Sequence, residues 1–370
     1  MRNLALIASI TLLSFTTAVA AQSEATRPSQ TAEAQALAAR TCELPKIADT
    51  APLQPVSGSD LVTVPVVING SARKFLLDIG LKRPTQVSPE LMAQLSLPED
   101  YKQTELLQFG PNASFNAPYQ GIQVPVYDAR NGGGADAENS HVRVSSFGVG
   151  NAAGHHLEMT VTRKGEIGRS APYDGFLSGD ILRNYDVELD FAGKQMTWLT
   201  PTSCADPNQV VFWAHREVAI LPVGLAKDGR LQMQAQIQGH VINAEIDTSS
   251  PRTIMRRDIA DLYVGLKDKD LEPLGDLKDG MHMQIYVHTF PQLIFAGGNV
   301  TALNVPVLIQ NYSMRTAIDR DVNTHLRGYI GGSLEQTDRI PDLSIGMDVL
   351  QHLHMYVVPG QGRVYVTAAD

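Results

Sequence analysis

The sequence predicts an all-β fold built as two homologous lobes with a few short helices. Two observations carry that prediction. The first is an internal duplication. Val64-Pro65-Val66, Asn69-Gly70 and Phe75-Leu76-Leu77-Asp78-Ile79-Gly80 are echoed by Leu221-Pro222-Val223, Gly239-His240 and Ala244-Glu245-Ile246-Asp247-Thr248-Ser249. The register from Asp78 to Asp247, and from Gly70 to Gly239, is 169 residues. Further on, Gly179-Asp180-Ile181-Leu182 is answered 168 residues later by Met347-Asp348-Val349-Leu350. Such a period is far too long for a solenoid and marks two equivalent lobes in one chain. The second observation is the local pattern: short alternating apolar runs bounded by Gly, Pro, Asn and Asp, as in strands and hairpins. Each lobe then ends an apolar strand on one aspartate, and a pseudo-twofold axis can bring the two aspartates together.

Taken in order, residues 1–20 read as a secretory signal. Arg2 gives a positive start, Leu4 to Val19 is largely apolar, and Ala18-Val19-Ala20 offers a small-residue cleavage site. Ser9, Thr11, Ser14, Thr16 and Thr17 interrupt the apolar run, which argues against a spanning helix. The expectation is an exported protein, periplasmic or secreted, with no stable membrane anchor after signal removal. Residues 21–56 read as leader and linker, 57–205 as the N-terminal lobe and 206–370 as the C-terminal lobe. Leu61 to Ile68 and Lys74 to Asp78 read as strands joined by the Asn69-Gly70 hairpin turn. Ser88-Pro89-Glu90 opens a short helix, with Ser as N-cap, Pro at the first helical position and an acid in the first turn. The stretch around Arg257 to Leu262 is its counterpart. His141 to Phe147, Leu157 to Val161, Met281 to Tyr286, Gln292 to Phe295 and Asn304 to Ile309 alternate as strands. Each lobe closes with a short helix and a hairpin, at 180–199 and 348–367.

With 39 acidic against 30 basic residues the net charge is −9, and no basic stripe is visible, so nucleic acid is not an expected partner. The chain holds two cysteines, Cys42 and Cys204. In an oxidising compartment an even count suggests a disulfide, here tying the segment before the first lobe to the segment after it; the alternative is two buried free thiols.

The repeated motifs resemble those of the aspartic peptidase clan with the pepsin and retropepsin fold, and more closely the bacterial exported retropepsin-like proteins. That family carries an apolar-apolar-Asp-Thr/Ser-Gly motif in each lobe, matched by Leu76-Leu77-Asp78-Ile79-Gly80 and Glu245-Ile246-Asp247-Thr248-Ser249. A later apolar-apolar-Gly motif is matched by Phe176-Leu177-Ser178 and Ser344-Ile345-Gly346. The resemblance covers most of residues 58–370. It implies acid-protease-type barrels, Asp78 and Asp247 as a catalytic dyad, and a polypeptide lying across the cleft under flap hairpins, the first within Leu106 to Val126. It implies no cofactor and no metal. Two carboxylates within hydrogen-bond reach share one proton, so one can take a proton from water while the other donates to the peptide carbonyl. Gly80 and Thr248 are supporting residues, the threonine by a hydroxyl that bonds across to the other lobe. Three positions depart from the pattern. Ile79 lacks that hydroxyl, Ser249 adds a Cβ where the family has glycine, and Ser178 replaces the glycine of the first closing motif. The sequence therefore supports an exported aspartic endopeptidase, with a catalytically weak or inactive peptide-binding relative as the alternative. Its oligomeric state is open, and a monomer suffices.

Other signals read as structure. Asp180 and Asp348 begin helices and read as N-caps. Gly148 to Ala153 reads as a turn, not a dinucleotide fingerprint, because a strand-like run follows. His155, His156, His352 and His354 lack the accompanying spacing of a metal site.

Overall fold

The computed structural model describes residues 43–80, 85–100, 141–162, 167, 171–182, 184–213, 218–225, 230–277, 283–295, 297, 300–310 and 341–369. The signal segment, most of the leader with Cys42 and the flap stretch 106–126 lie outside these residues. In chain order the strands are β1 (Ile47–Pro52), β2 (Gln54–Pro55), β3 (Val62–Ile68), β4 (Ser71–Leu77), β5 (Gln86–Val87), β6 (Glu99–Asp100), β7 (His141–Val149), β8 (Ala152–Val161), β9 (Gly175–Leu177), β10 (Asp186–Asp190) and β11 (Gln195–Leu199). The second half contributes β12 (Ala219–Pro222), β13 (Gly224–Leu225), β14 (Leu231–Ile237), β15 (His240–Ile246), β16 (Ile254–Arg256), β17 (Glu272–Leu277), β18 (Met283–Phe295), β19 (Thr301–Gln310), β20 (Leu343–Ile345), β21 (Leu353–Val358) and β22 (Arg363–Ala368). Short helices α1 (Pro89–Gln94), α2 (Gly179–Leu182), α3 (Pro207–Val210), α4 (Arg257–Leu262) and α5 (Met347–Leu350) punctuate them.

The fold is mostly β, with two closed six-stranded barrels. In the first, β3-β4-β9-β5-β8-β7 run in hydrogen-bonded order, and β7 returns to β3 with Val66 opposite Val149. In the second, β14-β15-β20-β16-β19-β18 do the same, and β18 returns to β14 with Ala235 opposite Phe295. Matching turns start both barrels. Asn69 and Gly70 take φ of 48° and 79°, and Gln238 and Gly239 take 49° and 84°, the paired left-handed conformation of a tight hairpin. Closure leaves few strand edges exposed and buries one face of every strand.

The duplication is more regular in space than in sequence. The counterpart of β3 is β14, since Thr63 pairs with Leu76 as Gln232 pairs with Glu245. Leu221-Pro222, read from the sequence as the echo of Val64-Pro65, lies instead in β12, outside the second barrel. A one-residue change of register also falls just after the aspartates. Gln86 faces Phe176 and Ile254 faces Ser344, so beyond that point the lobes are offset by 168 residues, and α1 and α4 begin at Pro89 and Arg257. Ser88 caps α1 as its sequence predicts, accepting from the Leu91 N–H at 3.0 Å, whereas α4 begins without a side-chain cap. The expected break between Tyr286 and Gln292 does not occur. β18 is one strand of 13 residues, and its Pro291 lies opposite Asn304, whose φ of 53° marks an irregularity able to tolerate a proline.

A third sheet, not legible from the duplication, joins the halves. Its order is β1-β11-β10-β21-β22-β12. Glu188 pairs with Tyr356, Val187 with Val357 and Leu189 with Met355. With the 168-residue offset, this register places the pseudo-twofold axis at the Glu188–Tyr356 pair. Ile47–Pro52, in a stretch read as linker, is the edge strand beside β11. One face of the sheet, with Val187, Leu189, Met355, Val357 and Val366, packs into the main core. The other face carries Leu199, Tyr356, Val358 and Tyr365, and is covered by Cys204, Val210 and Val211. The alternation Asp-Val-Glu-Leu-Asp along β10 suggests a half-exposed strand. The covering segment instead buries Asp186 and Glu188.

Candidate active site

Each aspartate follows a strand whose last three residues are buried: Phe75-Leu76-Leu77 before Asp78, and Ala244-Glu245-Ile246 before Asp247. The parallel partner strand pins each one alike. The Asp78 N–H donates to Leu177 O at 2.9 Å, and the Asp247 N–H donates to Ile345 O at 3.0 Å. Both side chains are withdrawn from solvent, Asp78 at 0% and Asp247 at 5% exposure.

Thr248 ties the two lobes at this point. Its hydroxyl accepts from the Ile79 N–H at 2.8 Å and donates to Leu77 O at 3.0 Å. Ile79, the residue at the same place in the first lobe, has no hydroxyl with which to return the clasp. Gly80 is required by space and not by its backbone angle. A Cβ there would lie 2.8 Å from Ile246 O in the other lobe, 3.3 Å from Asp78 Oδ1 and 3.5 Å from the Asp247 Cα. The structure thus brings Asp78, Ile79, Gly80, Asp247 and Thr248 to one seam.

The φ of Ser249 lies outside the left-handed region, so a Cβ is tolerated there. Its N–H and Oγ both donate to Asp247 Oδ1, at 3.0 and 2.7 Å. Ser344 Oγ donates to Asp247 Oδ2 at 3.1 Å. The sequence reading missed Ser344. Its signal was present as a polar residue in an otherwise apolar closing motif.

The closing motifs use a threonine in each lobe. Thr85 Oγ1 accepts from the Ser178 N–H, and Thr253 Oγ1 accepts from the Gly346 N–H, both at 3.1 Å. A Cβ on Gly346 would meet Arg252 O at 2.3 Å, so glycine is needed there, whereas the first lobe accommodates Ser178 fully buried. Asp348 is not the N-cap of α5; that position belongs to Gly346, and no side chain caps it. The Asp348 carboxylate instead accepts from Thr253 N–H at 3.1 Å and Thr253 Oγ1 at 2.7 Å. Burial pushes its carboxyl above the usual range, and the two Thr253 bonds pull it back.

Glu245, two residues before Asp247 in the chain, forms a buried ion pair, Arg230 Nη1 to Glu245 Oε2 at 3.1 Å, with the side chains 3% and 0% exposed. In the interlobe sheet, burial pushes the Asp186 carboxyl up to about 7, against bonds from Thr202 N–H at 2.8 Å and the Tyr356 hydroxyl at 3.1 Å. His354 is buried against Glu188 at 2.9 Å and stacked on Trp213, whereas His155, His156 and His352 are exposed. Within Gly148 to Ala153, Gly150 and Asn151 form the turn between β7 and β8, and the flanking residues pair across the hairpin. Among the described residues, no group of three or more His, Cys, Asp or Glu could hold a metal ion, and no helix is long and apolar enough to cross a membrane. Cys204 is buried, and its expected partner Cys42 lies outside the described residues.

No protein-family model matches the chain. No curated protein matches it either. Among solved structures, the chain is similar to basic 7S globulin from soybean at 10% identity and a TM-score of 0.45, covering 88% of this chain and 96% of that one. It is similar to conglutin gamma, a basic 7S globulin from lupine seeds, at 11% identity and a TM-score of 0.45, covering 88% and 95%. A retropepsin-like aspartic protease from Rickettsia conorii is similar at 11% identity and a TM-score of 0.27, covering 40% of this chain and 90% of that one.

Proposed function

We propose that the chain is an exported aspartic endopeptidase in which Asp78 and Asp247 act as a dyad on a water molecule. The observation that carries this reading is the Thr248 clasp, which joins the backbones beside the two acids across the lobe seam. Two adjacent buried carboxyls cannot both ionise cheaply and hold one proton between them. The ionised carboxylate takes a proton from water as the water oxygen bonds to the peptide carbonyl carbon. The protonated acid gives its proton to the carbonyl oxygen. On collapse the diol returns a proton to that acid, and the nitrogen leaves with the proton taken from water. The reaction is favoured below neutral pH, where the singly protonated pair is best populated.

Export would set the oxidising environment in which Cys42 and Cys204 pair. Supporting contacts lie next to them: the Glu43 N–H donates to Ser203 Oγ at 2.9 Å, and Thr202 Oγ1 donates to Glu43 O at 2.7 Å. Thiol labelling of the denatured protein should be negligible before reduction and complete after it. Strong labelling without reductant would remove the bridge.

The test of the main reading is incubation of purified protein with an unfolded polypeptide from acid to neutral pH. Wild type should cleave, and Asp78→Asn should not; equal cleavage by both would refute the assignment. A peptide-binding protein without efficient turnover is the second reading, favoured by Ile79, which leaves the clasp one-sided. It predicts saturable binding with no cleavage and little change on Asp247→Asn.

A further inference from the structure

The strands that meet on the pseudo-twofold axis, β10 and β21, carry different chemistry at equivalent positions. Under the 168-residue offset Asp186 corresponds to His354, and Glu188 to Tyr356. The first lobe brings two acids to the axis, and the second brings an imidazole and a phenol. They meet in two diagonal contacts. The Tyr356 hydroxyl donates to Asp186 Oδ2 at 3.1 Å, and His354 Nε2 lies 2.9 Å from Glu188 Oε1. The axis maps one contact onto the other, because it exchanges Asp186 with His354 and Glu188 with Tyr356. All four side chains are buried. The contacts around them are equally one-sided: Asp186 accepts from the Thr202 N–H at 2.8 Å, and Trp213 stacks on His354 with ring centroids 4.0 Å apart.

A true twofold interface repeats each contact with identical residues. Two first lobes meeting in this register would set Glu188 against Glu188 and each against Asp186. Four carboxyls would share one buried face, where like charges opposite one another are destabilising. Two second lobes would set each His354 against a Tyr356 and leave the imidazoles without a carboxylate. We propose that these four side chains decide which lobe pairs with which: β10 fits β21 of the other half of the chain and rejects a copy of itself. Specificity of this kind is the difference between the right pairing and the wrong one. The proposal is independent of the peptidase reading. Among the described residues, the other titratable or charged groups on this face are Asp190, Arg363 and Tyr365, with Asp206 in the covering segment and Glu43 and Lys46 beside it. All are retained in the variants below.

The experiment makes the two strands alike in the full-length protein and measures the unfolding constant by denaturant at about pH 7 and pH 4. His354→Asp with Tyr356→Glu imitates two first lobes. Unfolding should become more favourable by more than about a hundredfold at pH 7, and the gap to wild type should narrow at pH 4 as the carboxyls take up protons. Asp186→His with Glu188→Tyr imitates two second lobes. Its gap should widen at pH 4, where the two imidazoles charge. Combining all four substitutions restores unlike strands with their roles exchanged. At pH 7 the combined variant should be more stable than the product of the two effects predicts, by about tenfold or more. Effects that simply multiply overturn the proposal. The single His354→Glu serves if the larger variants fold poorly. It should lose more at pH 7 than at pH 4, and an equal loss at both also overturns the proposal.

Discussion

The N-terminal and C-terminal lobes share a backbone plan and differ in the side chains that fill equivalent buried positions. Leu61 and Leu76 fill the first lobe where Arg230 and Glu245 form a buried ion pair in the second. Phe176 occupies the place of Ser344, and Ile79 that of Thr248. The barrels close by the same pairings in both cases, so the fold does not require either chemistry. What differs is the set of side chains at equivalent positions. A duplicated scaffold can therefore keep its backbone pairings while the side chains at equivalent positions diverge.

The sharpest way to break this comparison is to remove half of the ion pair. Arg230→Leu leaves Glu245 charged and buried, and should cost about 3–5 kcal/mol, read as a fall in the denaturant midpoint. Arg230→Leu combined with Glu245→Leu copies the first lobe and should recover most of that loss. If the single and double variants are equally unstable, the lobes are not interchangeable in the way the backbone suggests.

The sheet between the lobes gives the next effect. Because the folded Asp186 carboxyl sits at about 7, above the ordinary value of about 3.9, its proton stabilises the folded state. That contribution is complete below about pH 4 and is lost as pH rises through about 7, a change on the order of 4 kcal/mol. Asp186→Asn, which imitates the protonated acid, should flatten stability against pH over this window. A wild-type curve equally flat would show that the interlobe sheet does not sense pH through Asp186.

Thr248→Val tests the clasp. It leaves the buried Ile79 N–H and Leu77 carbonyl without the hydroxyl, at a cost of about 2–3 kcal/mol in thermal or chemical unfolding. Ile79→Thr, which offers the second lobe a matching hydroxyl, should alter stability by less than about 1 kcal/mol. Its useful readout is turnover. A large rise would mean that the natural one-sided clasp limits the rate, and an unchanged rate would mean that Thr248 alone suffices.

Much of the barrel plan was legible because it rests on local rules. The hairpin turn at Asn69-Gly70, the Ser88 cap and the apolar strands ending on Asp78 and Asp247 each follow from a few adjacent residues. The six-stranded sheet was hidden because its central pairing joins residues about 170 apart, and because β10 alternates like a surface strand before another segment covers it. Asp348 misled for a related reason. An acid in a first helical turn suggests an end-of-helix contact, yet its partner Thr253 comes from another part of the lobe.

By itself the sequence determined that there are two lobes, that each carries an aspartate after an apolar strand, and that the pattern resembles aspartic peptidases. Periodicity, turn residues and repeat spacing are properties of the chain and survive without coordinates. Only the tertiary structure decided that Thr248 bonds across the seam, that Ser249 and Ser344 turn their hydroxyls to Asp247, and that Asp186 is buried between the halves. Those facts depend on which distant groups meet and on how much water remains between them, and hydrogen bonding and charge are governed by that proximity.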